Sequence, residues 1–102
     1  MQDPRDCHSM VELRAGIDAL DRELVALLAC RARFIDRAAE LKQAAGLPAR
    51  IGARVDEVLA NARANARAAG LDPDLAERLW RDMVEWAIQH EEAAMGIKED
   101  RA

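Results

Sequence analysis

Apolar residues recur at helical steps over most of the chain. Leu13, Ile17, Leu20, Leu24, Leu27, Leu28, Ile35, Ala38 and Leu41 follow one another at intervals of three, four and seven. That spacing lays a single apolar stripe along a helix, and only Gly16 interrupts the run of helix formers. Ser9-Met10-Val11-Glu12 ahead of the stripe has the form of a capping box, the serine accepting from a backbone N–H and the glutamate reaching back. Gly46-Leu47-Pro48 marks the stop. A second helix turns Val55, Val58, Leu59, Ala62 and Ala66 inward and runs to Gly70. Asp72-Pro73-Asp74 then caps a third, with Pro at its first position, which carries Leu75, Leu79, Trp80, Met83, Val84, Trp86 and Ile88 and ends near Gly96. The polar residues 97–102 form a fraying tail. The pattern predicts an all-α chain of three helices in a single domain over 1–102, with no repeat or linker.

The length of the first helix changes this picture. Roughly 33 residues at 1.5 Å each make a rod of about 50 Å, whereas a compact domain of this size is only about 33 Å across. The rod overhangs, and its apolar stripe continues to Leu41. A second copy running antiparallel is the cheapest cover, so the expectation is an intertwined two-fold homodimer. The bland alternative is a three-helix hairpin with a disordered end.

Composition supports helix over sheet: the 102 residues include three aromatics and no tyrosine. A net charge of −4 gives no general attraction to nucleic acid or an anionic membrane. Arg54, Arg63 and Arg67 hint at a basic stripe, but without aromatic interleaving it does not suggest nucleic acid as a partner. No apolar run approaches the ~18 residues of a membrane span. Met1–Asp6 has no apolar core of a secretory signal, so a cytoplasmic location is expected. Cys7 and Cys30 then read as free thiols, at a spacing unlike any metal motif.

Three cations sit beside the apolar stripe of the first helix. Arg31 and Lys42 are eleven residues apart, three turns plus about 20°, and share a face. Two long side chains leaning together there suit a small dianion. Arg14, seventeen residues before Arg31, is about 25 Å away on the same rod; in an antiparallel dimer it approaches the other chain's Arg31 and Lys42 instead. The competing reading is ordinary ion pairs, Arg14 with Asp18 and Lys42 with Glu40 or Asp36. Arg50, Arg63, Arg67, Arg78 and Arg81 read as solvated faces. His8 and His90 have no partners that the sequence names.

Pro4-x-x-Cys7, then Leu13-Arg14-x-x-Ile17-Asp18-x-x-Asp21-x-x-Leu24-Val25-x-Leu27-Leu28-x-x-Arg31 and Lys42, resembles the all-helical chorismate mutases, and most of all their isochorismate-pyruvate lyase subgroup. The resemblance continues through Pro48, Arg54-Val55, Gly70-Leu71-Asp72 and Trp86-x-Ile88-x-x-Glu91, covering about residues 4–91. It implies an intertwined homodimer whose two active sites draw on both chains, a small dicarboxylate substrate, and no metal or organic cofactor. Carried over by position, Arg14 comes from the partner subunit, Arg31 clamps a carboxylate, and Lys42 binds a carboxylate and the enolpyruvyl ether oxygen. Arg54 lines the pocket and Glu91 faces the ether oxygen. The implied activity is the pericyclic rearrangement of chorismate to prephenate, or the release of salicylate and pyruvate from isochorismate. A helical dimerisation module without catalysis is the alternative from a different class.

Two positions depart from the mutase pattern. Val55 stands where mutases carry a glutamate for the ring hydroxyl, and Ile51 is nearest to where a loop acid is expected. Both departures favour the lyase, and they leave an amino-substituted chorismate open as substrate. Glu91, where the lyase pattern prefers glutamine, donates a hydrogen bond only when protonated, and it shares a helical face with Val84, Ala87 and Ile88. Gly46, Pro48 and Gly52 fit a hinged loop near the site.

Overall fold

The structure is a computed structural model, and it describes residues 3–96. Three helices, α1 (Met10–Ala45), α2 (Gly52–Ala69) and α3 (Pro73–Ala94), follow a short 3-10 turn at Pro4–Asp6. Among the described residues all regular structure is helical, as the periodicity predicts. The polar tail expected at 97–102 lies outside them.

Local chemistry visible in the sequence sets most of the helix ends; α2 is the exception at its start, where Ile51 makes no side-chain cap. Ser9 Oγ accepts from the Glu12 N–H at 3.2 Å. The Glu12 carboxylate reaches back one residue further than the usual box, accepting from the His8 N–H at 3.0 Å. Gly46 takes φ +70°, and beyond it the Leu47 N–H donates to the Lys42 carbonyl at 2.8 Å. Gly70 repeats the device at φ +77°, with Leu71 donating to Ala66 at 2.8 Å. Both are left-handed stops that satisfy carbonyls orphaned at a helix end, a conformation that costs a residue with a Cβ. Asp72 caps α3, accepting from the Asp74 N–H, with Pro73 in the first turn.

The chain divides into two compact units, Met1–Phe34 and Ile35–Ala102. In the first, the N-terminal turn and the start of α1 enclose an apolar groove of about 400 Å³ lined by Pro4, Cys7, Leu13, Gly16, Ile17 and Leu20, with Glu23 at its rim. The stripe beyond the groove in this unit is open: Leu24, Leu27 and Leu28 are exposed, Leu27 at 68%.

The second unit has its own core. Leu59, Ala62 and Ala66 of α2 are buried, as are Ala76, Val84, Ala87, Ile88 and Glu91 of α3. Alanines at the contact let the two helix backbones approach closely. Ala49, from the loop between α1 and α2, is buried against Val84 and Ile88, with Val55, Val58 and Met95 packed around them. Charged side chains link the elements at the surface. Arg63 of α2 meets Asp74 and Glu77 of α3 at 2.9 and 3.7 Å, and Arg81 also pairs with Glu77. Arg63, 29% exposed, departs from the solvated face expected of it because carboxylates of α3 come within reach; Arg81 remains on one, with an ion pair one turn back.

Candidate active site

The buried charge of the second unit lies where the last turn of α1 meets the last turns of α3. Val84, Ala87, Ile88 and Glu91 fall at steps of three and four, so the stripe that builds the core carries Glu91 inward with it. Glu91 is 3% exposed. Its Oε1 lies 2.7 Å from Lys42 Nζ, and beyond that ion pair this buried oxygen has no partner among the described residues. Lys42 Nζ donates to the Ala49 carbonyl at 2.7 Å. An ammonium carries three N–H donors, so the lysine keeps donor capacity beyond the Ala49 carbonyl.

A buried ion pair is expensive. Removing both charges from water costs several kcal/mol per ion, and their attraction repays it only with good geometry and further hydrogen bonds. Here the carboxyl is almost fully buried while the lysine side chain stays 21% exposed, so the carboxyl bears most of that cost. Chemically the pair offers a part-exposed cation beside a buried carboxyl to a polar ligand atom.

The loop reaching this pair is fixed at three points. Ala49 is in the core, its carbonyl holds Lys42, and Arg50 makes two bonds to Glu85 of α3 at 2.9 and 2.6 Å. The Arg50 guanidinium holds the Glu85 carboxyl below its ordinary range, through the hydrogen bond first and its charge second. Arg50 lies on the solvated face expected of it and adds an exposed pair that the sequence did not name. The hinge expected at Gly46 and Gly52 meets a loop docked through Ala49 and Arg50.

The remaining expected residues are distributed as follows. Arg54 is exposed at the start of α2 and pairs with Glu57 one turn on. Val55 is half-buried and packs on the Ala49–Val84–Ile88 core, so this position presents an apolar side chain where a mutase would present an acid. Arg14 and Arg31 belong to the first unit, Arg14 exposed and Arg31 half-buried. Neither has an ion-pair partner among the described residues, so the expected alternative of Arg14 with Asp18 is not adopted. The alternatives for Lys42 are not adopted either: Glu40 pairs with Arg37, and Asp36 with His90.

Two features escaped sequence reasoning. The Ala49 carbonyl is a backbone group and leaves no trace in residue type. His90, for which no partner could be named, lies with Nε2 2.6 Å from Asp36 Oδ1 and its ring stacked on Trp86. No group of three or more His, Cys, Asp and Glu side chains comes together as a metal site among the described residues.

Residues 13–92 match the chorismate mutase type II family. The chain belongs to that family. It is 38% identical over 72 residues to the T-protein of Enterobacter agglomerans, and 36% over 73 residues to the T-protein of Haemophilus influenzae. These matches take in 71% and 72% of this chain, which spans only 19% of either T-protein's length. Against the isochorismate pyruvate lyase of Pseudomonas aeruginosa the identity is 31% over 91 residues, and 86% of each chain is covered.

Proposed function

We propose that this chain is a chorismate mutase, rearranging chorismate to prephenate in a pocket of cations around Lys42 and Glu91. The observation that carries this reading is the Lys42–Glu91 contact, a nearly buried carboxyl beside a lysine ammonium with donors to spare beyond the Ala49 carbonyl. The rearrangement is unimolecular and pericyclic, so it calls for no nucleophile and no covalent intermediate. It is accelerated by holding the compact reactive conformer and by stabilising the negative charge that grows on the breaking C–O oxygen. Lys42 supplies a point charge at that oxygen and at a carboxylate. Glu91, when protonated, donates a hydrogen bond to the same oxygen. Arg31, Arg54 and Arg14 of the partner subunit hold the substrate's carboxylates, for which the guanidinium fork is suited. Arg14 and Arg31 have no internal carboxylate among the described residues, which supports a role toward an external anion.

Dimerisation belongs to this proposal. The exposed leucines of α1 leave a long apolar face uncovered in one chain, more than isolated surface residues would. A second copy running antiparallel covers it.

Isochorismate-pyruvate lyase is the second reading, and two observations favour it. Val55 removes the acid that reads the ring hydroxyl, and the lyase relative matches nearly end to end. A paired assay with chorismate and isochorismate separates the readings, following prephenate and salicylate independently. Prephenate with little salicylate supports the mutase; rapid salicylate and pyruvate release replaces it with the lyase.

Arg31→Ala tests catalysis against a pure dimerisation module. We expect fold and oligomeric state to persist while turnover drops about 10²- to 10³-fold, as when a contact to developing charge is removed. Unchanged turnover would defeat the assignment of Arg31.

A further inference from the structure

Asp36, Trp86 and His90 stand beside the Lys42–Glu91 pair and have no part in the chemistry above. The His90 Nε2–H donates to Asp36 Oδ1 at 2.6 Å. The imidazole also lies against the Trp86 indole, with ring centroids 4.7 Å apart and planes 11° from parallel. Trp86 is one turn earlier on α3, the spacing at which side chains of a helix meet. The ring is therefore held at one face and at one nitrogen.

Its position in the fold gives that restraint leverage. His90 and Glu91 are adjacent on α3, and they contact Asp36 and Lys42 of α1, six residues or about 9 Å of helix rise apart. Between those two α1 residues lies Ala39, the buried residue of the helix. A single attachment would let the last turns of α1 swivel about it, whereas two attachments set both rotation and height. The main helix packing of the unit is α2 against α3, so these side-chain bonds join buried Ala39 and the docked Ala49 loop in setting the end of α1.

We propose that His90 is a positioning residue for the Lys42–Glu91 pair: through Asp36 it fixes the rotation of the last turns of α1, and so the placement of Lys42 Nζ beside Glu91. The inference rests on the site reading given above and adds a residue that acts without touching substrate. The His90 and Asp36 side chains are 40% and 55% exposed. Such an exposed pair contributes little to global stability, so positioning and folding are separable.

The test compares wild type with His90→Ala, His90→Gln, Glu91→Ala and the His90→Ala/Glu91→Ala double variant. Using whichever of chorismate and isochorismate is turned over, His90→Ala is expected to lower kcat about ten-fold with KM nearly unchanged, as for a small misplacement of a reacting group. His90→Gln, whose amide N–H reaches toward Asp36, should recover most of the rate. In the Glu91→Ala background, His90→Ala should add no further loss, since coupled residues are non-additive. An undiminished kcat in His90→Ala, or the same fold-loss in both backgrounds, overturns the proposal. A second readout needs no turnover: the ¹⁵N resonance of the Lys42 ammonium should shift in His90→Ala while the thermal midpoint holds. An unmoved resonance refutes the brace. If Lys42→Ala and Glu91→Ala leave turnover of both substrates intact, the active-site reading fails, and the Lys42 resonance still decides whether His90 positions the lysine.

Discussion

The units Met1–Phe34 and Ile35–Ala102 treat the same kinds of residue in opposite ways. In the first, leucines of the α1 stripe face solvent and Arg14 and Arg31 have no carboxylate partner among the described residues. In the second, the apolar stripes of α2 and α3 close on each other, and Lys42, Arg50, Arg54, Arg63 and Arg81 are all paired. The second unit closes a core of its own and pairs several of its cations; the first leaves most of its stripe and both of these arginines open. Apolar burial is the main favourable term in folding; on the proposed homodimer a second copy covers the stripe left open over several turns, and on the proposed function the cations beside it meet the substrate's carboxylates.

The largest expected effect breaks the second unit at its centre. Lys42→Ala removes the counter-charge of a carboxyl that is almost fully buried, a change that costs roughly 3–5 kcal/mol when the orphaned charge stays inside. Turnover of the true substrate should fall by at least about 10²-fold in the same variant. Denaturant midpoints and kcat/KM measured together check both halves. Lys42→Ala with wild-type stability and rate would show the pair to be neither structural nor catalytic.

The first unit is tested at its exposed stripe. Leu24→Asp places a charge in the middle of the apolar face, forfeiting burial worth about 1.5–3 kcal/mol per leucine in each copy and adding desolvation of a carboxylate. Sedimentation should show wild type as a dimer and the variant shifted to monomer, with turnover lost alongside. A dimeric, active Leu24→Asp would move the interface elsewhere.

How much of this contrast was legible beforehand depends on whether a feature is local. The stops at Gly46 and Gly70 were readable because a left-handed stop is written in consecutive residues. The inward turn of Glu91 was readable because Val84, Ala87 and Ile88 share its face. The open stripe of α1 followed from helix length alone. Lys42 and Glu91 were each singled out by the family pattern, but their direct pairing was not. The pairs Arg50–Glu85 and Asp36–His90 join residues 35 and 54 apart in sequence. Such pairs depend on how one helix is rotated against another, and a period of 3.6 leaves that angle free. The Arg63–Asp74 pair between α2 and α3 escapes the sequence for the same reason.

A smaller effect sharpens the reading of Glu91 within the second unit. If the group at this position acts by donating to the breaking oxygen, an amide should stand in for it and a methyl should not. Glu91→Gln should keep kcat/KM within about ten-fold of wild type, whereas Glu91→Ala should lose about 10²-fold or more. A wild-type rate in Glu91→Ala would remove the donor role.

The smallest expected effect concerns the rim of that unit, at the Arg50–Glu85 clamp. Arg50 holds the Glu85 carboxyl below its ordinary range in the folded chain. A group with a depressed folded value binds fewer protons folded than unfolded. Its contribution to stability is therefore present above the unfolded value, about 4.3 for glutamate, and is lost as pH falls through the folded one. Glu85→Gln removes this dependence. Unfolding midpoints should differ slightly near pH 7, with wild type higher, and converge as the pH drops below about 4. The clamp is solvent-exposed and salt screens it, so the difference should also shrink with added salt. A gap that widened toward low pH would show that Glu85 is stabilised as its acid, and that Arg50 does not fasten the loop to α3 through charge.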